Sequence, residues 1–137
     1  MYPTCLEAAL KLKEISYINA VAYPAGEMKH GPIALADEHL GVIGLCGNEK
    51  TLDKMLSNLM EIKARGAPIL ALAFEGTAEI EDIADDVFWL PTTSDELACV
   101  PYSIALQLLD YYIALEKGAS IDQPRNLAKS VLSNNAL

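Results

Sequence analysis

Residues 68–74 form an unbroken apolar run, closed off by Gly66 before it and by Glu75-Gly76 after it. A run this short and this apolar fits a strand buried on both faces, the mark of a parallel sheet sandwiched between helices. Residues 41–46 read as a second buried strand, although glycines weaken it, and residues 87–90 as a third. Between the first two lies a helix capped by Asn48 and ending near Arg65-Gly66. On it Leu52, Met55, Leu56, Leu59 and Met60 recur at helical spacing and define a core face. A short helix is expected over residues 78–84. Thr93 and Glu96 have the spacing of a capping box that opens a helix of about five turns. Pro101 should break or kink that helix near its start, and Lys117-Gly118 should end it. At the N-terminus a helix capped by Thr4 is expected over residues 5–19, followed by a loop punctuated by Pro24, Gly26, Gly31 and Pro32. Strands alternating with helices make this an α/β chain with a parallel sheet. Its 137 residues, with no repeat and no linker, read as a single domain.

Charge narrows the function. A formal net charge of −9 speaks against nucleic acid and anionic membranes as partners, since both select basic surfaces. The longest uncharged apolar stretch, residues 97–109, is too short to span a bilayer and contains Pro101 and Gln107. Met1-Tyr2-Pro3-Thr4 has neither the basic nor the apolar region of an export signal, so the cytoplasm is the expected location. Cys5, Cys46 and Cys99 are odd in number and far apart, as expected of buried thiols in a reducing compartment rather than of disulfides or a metal site. The glycines of residues 41–47 follow a G-x-x-G-x-x-G spacing that does not match a dinucleotide fingerprint, and a strand fits them better.

Three places hold side chains that can do chemistry. On the first helix, at about 100° per residue, Glu7, Lys11 and Glu14 line up at i, i+4 and i+7 on an otherwise apolar cylinder. Spacing alone favours a solvated face with Glu–Lys pairs worth about 0.2–0.5 kcal/mol each. His30 follows Lys29 and precedes Gly31-Pro32 in a loop, where a surface role is the commoner one. Lys129 stands near the C-terminus, where an arbitrary lysine is a solvated one. His39 matches nothing and reads as surface.

Together these segments resemble one family. Asp122-Gln123-Pro124-Arg125-Asn126-Leu127-Ala128-Lys129-Ser130-Val131 resembles the C-terminal signature of the glucosamine-6-phosphate synthase family. Leu6-Glu7-Ala8-Ala9-Leu10-Lys11-Leu12-Lys13-Glu14-Ile15-Ser16-Tyr17-Ile18 resembles its catalytic helix, and Gly26-Glu27-Met28-Lys29-His30-Gly31-Pro32-Ile33-Ala34-Leu35 its histidine-bearing segment. The three matches are ungapped and follow the family's order, and the resemblance extends over nearly the whole chain, most clearly at its two ends. The resemblance implies a sugar isomerase (SIS) fold, a flavodoxin-like three-layer αβα sandwich. A complete domain of that type has a strand ending in a glycine-rich turn just before Tyr2-Pro3. The chain is therefore expected to lack its first strand and to be the C-terminal isomerase region of a larger enzyme. The family's first SIS domain and its glutaminase domain would be its partners.

By the same resemblance, glutamine-derived ammonia and fructose 6-phosphate become glucosamine 6-phosphate, with neither metal nor organic cofactor. Glu14 is then the general base that moves a proton between adjacent sugar carbons. Lys11 holds a substrate oxygen or relays a proton, and Glu7 orients Lys11 or the sugar. Lys129 forms the Schiff base, with Ala128 beside it at the substrate. Its amine must be neutral to do so, whereas a free lysine, with pKa about 10.4, is protonated at neutral pH. His30 opens the sugar ring from the partner subunit, so the site needs a homodimer. Asn19 and Val21 depart from the family, which often has histidine and glutamate there. The alternative is a non-catalytic phosphosugar-binding module on the same fold, and the Glu14, His30 and Lys129 set disfavours it. A phosphosugar isomerase or deglycase is disfavoured by the tail motif. The isolated chain is expected to bind fructose 6-phosphate weakly and to turn it over poorly.

Overall fold

The structure, a computed structural model, describes residues 1–125. Three parallel strands, β1 (Val42–Cys46), β2 (Ile69–Phe74) and β3 (Asp86–Leu90), form one sheet in the order β1-β2-β3. The register pairs Val42 with Ile69 and Leu70 with Asp86. The apolar run takes the central position, where both edges and both faces are covered. Alternate β2 side chains feed two cores. Ile69, Ala71 and Ala73 pack with Leu56, Leu59 and Ile62 of helix α2 (Leu52–Lys63). Leu72, with Leu70 and Phe74 beside it, packs with Ala8 of helix α1 (Tyr2–Lys11) and with Tyr102, Ala105 and Leu106 of helix α3 (Cys99–Glu116). The result is the expected αβα sandwich, with α1 and α3 on one face and α2 on the other.

Two glycines permit close approach. Gly44 of β1 lies under Leu59, where an added Cβ would sit 3.0 Å from a leucine methyl. At Gly47 a Cβ would collide with the ring of Tyr102, which is fully buried and donates its hydroxyl to the Leu72 carbonyl at 3.1 Å. Tyr102 also meets Phe74 edge-on at 5.3 Å between centroids, a favourable aromatic geometry. The strand expected here forms, with Gly44 inside it and Gly47 just past its end, each filled by a neighbouring side chain.

Several local expectations change. Thr4 does not cap α1. The helix starts at Tyr2 with Pro3 in its first turn, where a missing N–H costs nothing, and Thr4 is buried inside it. Its α-helical part ends at Lys11 and continues as a π-helical turn over Leu12–Ser16, short of residue 19. Thr93 and Glu96 do not cap α3, which begins only at Cys99 and so holds Pro101 within its first turn. The helix stops as expected, with Gly118 at φ 65°. On α2, Leu56 and Leu59 are buried but Met60 is half exposed, and Ile62 takes its place inside. Residues 78–84 contain only a 3₁₀ turn, Ala78–Ile80, although Ile80, Ile83 and Ala84 are buried. Of the cysteines, all free, Cys46 is buried, Cys5 half-buried and Cys99 exposed. Burial pushes the Cys46 thiol up to about 12.

Candidate functional site

The charged strip of α1 is an ion-pair chain. Lys11 Nζ donates to Glu14 Oε2 at 2.7 Å and lies 3.7 Å from Glu7 Oε1. Lys11 and Glu14 are each a little over a third exposed, so the strip is open to a solute rather than sealed in the core. The hydrogen bond to Glu14 raises the pKa of Lys11. Partial burial opposes that rise, and the charges of Glu14 and Glu7 add to it. Lys11 is therefore an ammonium, suited to holding an oxygen.

The π-helical turn explains how Glu14 gets there. Ser16 is fully buried and its hydroxyl donates to the Leu12 carbonyl at 2.6 Å. The Tyr17 N–H also reaches Leu12, closing the wide turn, and Ile18 N–H bonds the same carbonyl at 3.2 Å. Tyr17 then leaves the helix at φ 58°, the one non-glycine residue with positive φ among the described residues. Single π turns and left-handed residues of this kind cost energy and recur at functional sites.

Tyr17 also holds the approach to the C-terminus. The Arg125 guanidinium lies over its ring at 3.9 Å from the centroid, and the Arg125 backbone N–H donates to the Tyr17 hydroxyl at 3.0 Å. The tail motif is thus tied to a residue three positions after Glu14. Ala128 and Lys129 lie outside the described residues.

His30 is elsewhere. It ends the 3₁₀ turn Ala25–His30, exposed, and is followed by Gly31 at φ 144° and a second 3₁₀ turn, Pro32–Leu35. Met28 and Ile33 pack into the α2 core, and Lys29 bonds Glu61 of α2 at 2.6 Å. His30 therefore belongs to the α2 side of the sheet, and the acidic strip to the α1–α3 side. Among the described residues no hydrogen bond or ion pair joins them. One chain brings Glu7, Lys11 and Glu14 together and leaves His30 apart.

Sequence reasoning assigned nothing to Tyr17, Arg125 or Asp110. Asp110 of α3 is buried, lies against α1, and among the described residues has no partner for either carboxylate oxygen. Arg125 stood in the quoted motif, but nothing in the sequence says that it reaches Tyr17. Among the described residues there is no group of three or more His, Cys, Asp or Glu that could hold a metal ion, and no helix long and apolar enough to cross a membrane.

Comparison with known proteins agrees with the fold. The family model described as "SIS domain" matches residues 1–117. The chain is 56% identical over 129 residues to a glutamine–fructose-6-phosphate aminotransferase (isomerizing) of Thermus thermophilus, an alignment covering 94% of the chain and 21% of the relative. It is 51% identical over 131 residues to the protein of the same name from Chlamydia muridarum, covering 96% and 22%. Among solved structures, the C-terminal domain of glucosamine-fructose-6-phosphate aminotransferase from Francisella tularensis superposes with a TM-score of 0.83 at 46% identity, covering 90% of this chain and 35% of that one. The chain thus spans about a fifth of the length of the curated relatives it matches. With the fold, the charged strip and these matches in hand, the chain belongs to the SIS domain family, and nearly all of it is similar to the glutamine–fructose-6-phosphate aminotransferases.

Proposed function

We propose that this chain is the isomerase region of an enzyme that makes glucosamine 6-phosphate from fructose 6-phosphate and glutamine-derived ammonia. The observation that carries the reading is the convergence of two segments. The Glu7–Lys11–Glu14 strip lies on the helical segment that leads to Tyr17, and Tyr17 holds Arg125 of the tail motif, which supports a role for both segments in one site.

The chemistry then runs as follows. The neutral amine of Lys129 adds to the C2 carbonyl of the open-chain ketose and expels water, forming an imine. Ammonia displaces the lysine, leaving nitrogen on C2. Glu14 takes a proton from C1, the electrons move towards the C2 imine, and a proton is returned to C2 to give the 2-amino aldose. Lys11 holds a sugar oxygen, while Glu7 and Ala128 contribute to substrate binding. His30 opens the ring. Its place on the opposite side of the sheet supports supply from a second copy, hence a homodimer. The glutaminase and first SIS domains belong to the rest of the enzyme. No metal or organic cofactor is needed, because the imine is the electron sink.

Borohydride trapping with fructose 6-phosphate, followed by peptide mapping, tests the reading. A sugar adduct at Lys129 that disappears in Lys129→Arg is the expected outcome. Labelling spread evenly over the chain's lysines would overturn it.

A further inference from the structure

Asp110 is the group the proposed chemistry leaves unused. It is 1% exposed, and among the described residues neither of its carboxylate oxygens has a hydrogen-bond partner. A buried acid without partners is expensive, and a fold keeps one only against a steady cost. It lines a void of about 10 Å³ between α1 and α3, together with Thr4, Glu7, Lys11, Ser103 and Gln107. That is near the smallest space that holds one water, and its lining mixes these polar groups with the apolar Ala8 and Leu106. Burial pushes the Asp110 carboxyl up to about 6, while the Lys11 charge pulls it down and the Glu7 charge pushes it up. Among the described residues these are the two charges that act on it, and its own helix offers Ser103 and Gln107, both neutral.

Lys11 therefore has carboxylates of two kinds around it. Glu14 and Glu7 pair with it now, along its own exposed strip. Asp110, on α3, faces it across the void. A Glu14 bound to an ammonium is a poor base, because its lone pair is engaged and its charge neutralised.

We propose that Asp110 is a positioning residue that offers Lys11 a second acceptor, through one water in the void, and so frees Glu14 for proton transfer. The inference rests on the reading of Glu14 as the base. The exchange is balanced: a half-exposed ion pair, weak in water, is given up for one in a closed site that also satisfies the unpartnered acid. The device works above the pH at which Asp110 ionises and is idle below it.

The test needs no turnover. In the ¹³C,¹⁵N-labelled chain, the Asp110 carboxyl carbon is followed by NMR from pH 4 to 8, together with Lys11 Nζ and the Glu14 carboxyl carbon. The expected result is a step at Lys11 Nζ and at the Glu14 carboxyl carbon that coincides with the Asp110 midpoint, near pH 6. Asp110→Asn should abolish the step at Lys11 and Glu14, and Lys11→Met should raise the Asp110 midpoint. A purely structural Asp110 would leave the Lys11 and Glu14 signals blind to Asp110→Asn, and that result overturns the proposal. Asp110→Ala serves as a second variant should the amide perturb packing. A shared step without an adduct at Lys129 would count against the synthase reading and not against the Lys11 exchange. The converse pair of results would count against the exchange alone.

Discussion

The Tyr17–Arg125 contact can be taken apart by amide exchange. The contact has two parts. A guanidinium over a ring that is only partly buried contributes about 0.5–1 kcal/mol, and the N–H to hydroxyl bond about 0.5–1.5 kcal/mol. If both hold the segment down, local opening at Arg125 costs about 1–2.5 kcal/mol, a protection of roughly 5- to 70-fold at 1.36 kcal/mol per decade. Tyr17→Phe keeps the ring and deletes the acceptor, so the Arg125 amide should exchange about 2- to 12-fold faster. Arg125→Met keeps the amide and deletes the cation, for about 2- to 5-fold. Tyr17→Leu removes both and should give the full loss. The double variant Tyr17→Leu with Arg125→Met should be no worse than Tyr17→Leu alone, because the cation has already lost its ring. Hydrogen–deuterium exchange read by NMR at the Arg125 amide measures each rate. An unchanged rate in Tyr17→Phe, or strict additivity in the double variant, would refute the geometry and with it the argument that ties the tail to the helix of Glu14.

Other outcomes follow from buried groups. Asp110 has its pKa raised to about 6, so as pH climbs the unfolded chain loses this proton first, and stability contributed by the site falls between roughly pH 4 and 6. Asp110→Asn should therefore be increasingly stabilising across that window, by up to about 3 kcal/mol above it. Urea melts at pH 4 and pH 7 check this, and an equal difference at both pH values would contradict it. Gly47→Ala puts a methyl within 2.8 Å of the Tyr102 hydroxyl and closer still to its ring, so it should cost about 1–3 kcal/mol or more as the ring is displaced from the Leu72 carbonyl. A melting temperature unchanged by Gly47→Ala would show that the ring has room to move. Leu59→Ala removes a side chain that is 1% exposed and touches Gly44, and should cost about 2–5 kcal/mol by thermal or urea unfolding.

The sheet was the most legible part of the fold. The strands differ from expectation by a residue at most, because a short apolar run between turn residues has few other uses. Helix starts were less legible. Thr4 and the Thr93–Glu96 pair have capping chemistry, yet Pro3 and Pro101 decide where the chain can enter a helix, and both caps lose. The Glu7–Lys11–Glu14 strip could be seen in the spacing, but its site reading came only from resemblance. The π-helical turn that carries Glu14 has no sequence signal in a scheme built on 3.6 residues per turn. Asp110 did leave a trace. Tyr102, Leu106 and Asp110 stand at i, i+4 and i+8, so a helix that buries the first two carries the third inside. The Tyr17–Arg125 contact spans 108 positions, and no local rule joins residues so far apart.

The division of the sandwich also has a genetic consequence. The acidic strip rides on the α1–α3 face and His30 on the α2 face, so under the proposed dimer each polypeptide contributes to two reaction centres and completes neither. Defects in the two halves are then not equivalent to defects in one gene product. A Glu14→Gln copy and a His30→Asn copy, each inert alone, would form mixed pairs in which one centre collects both lesions and the other collects none. Random pairing of equal amounts would restore about a quarter of the centres, and two broken alleles would rescue each other in the same cell.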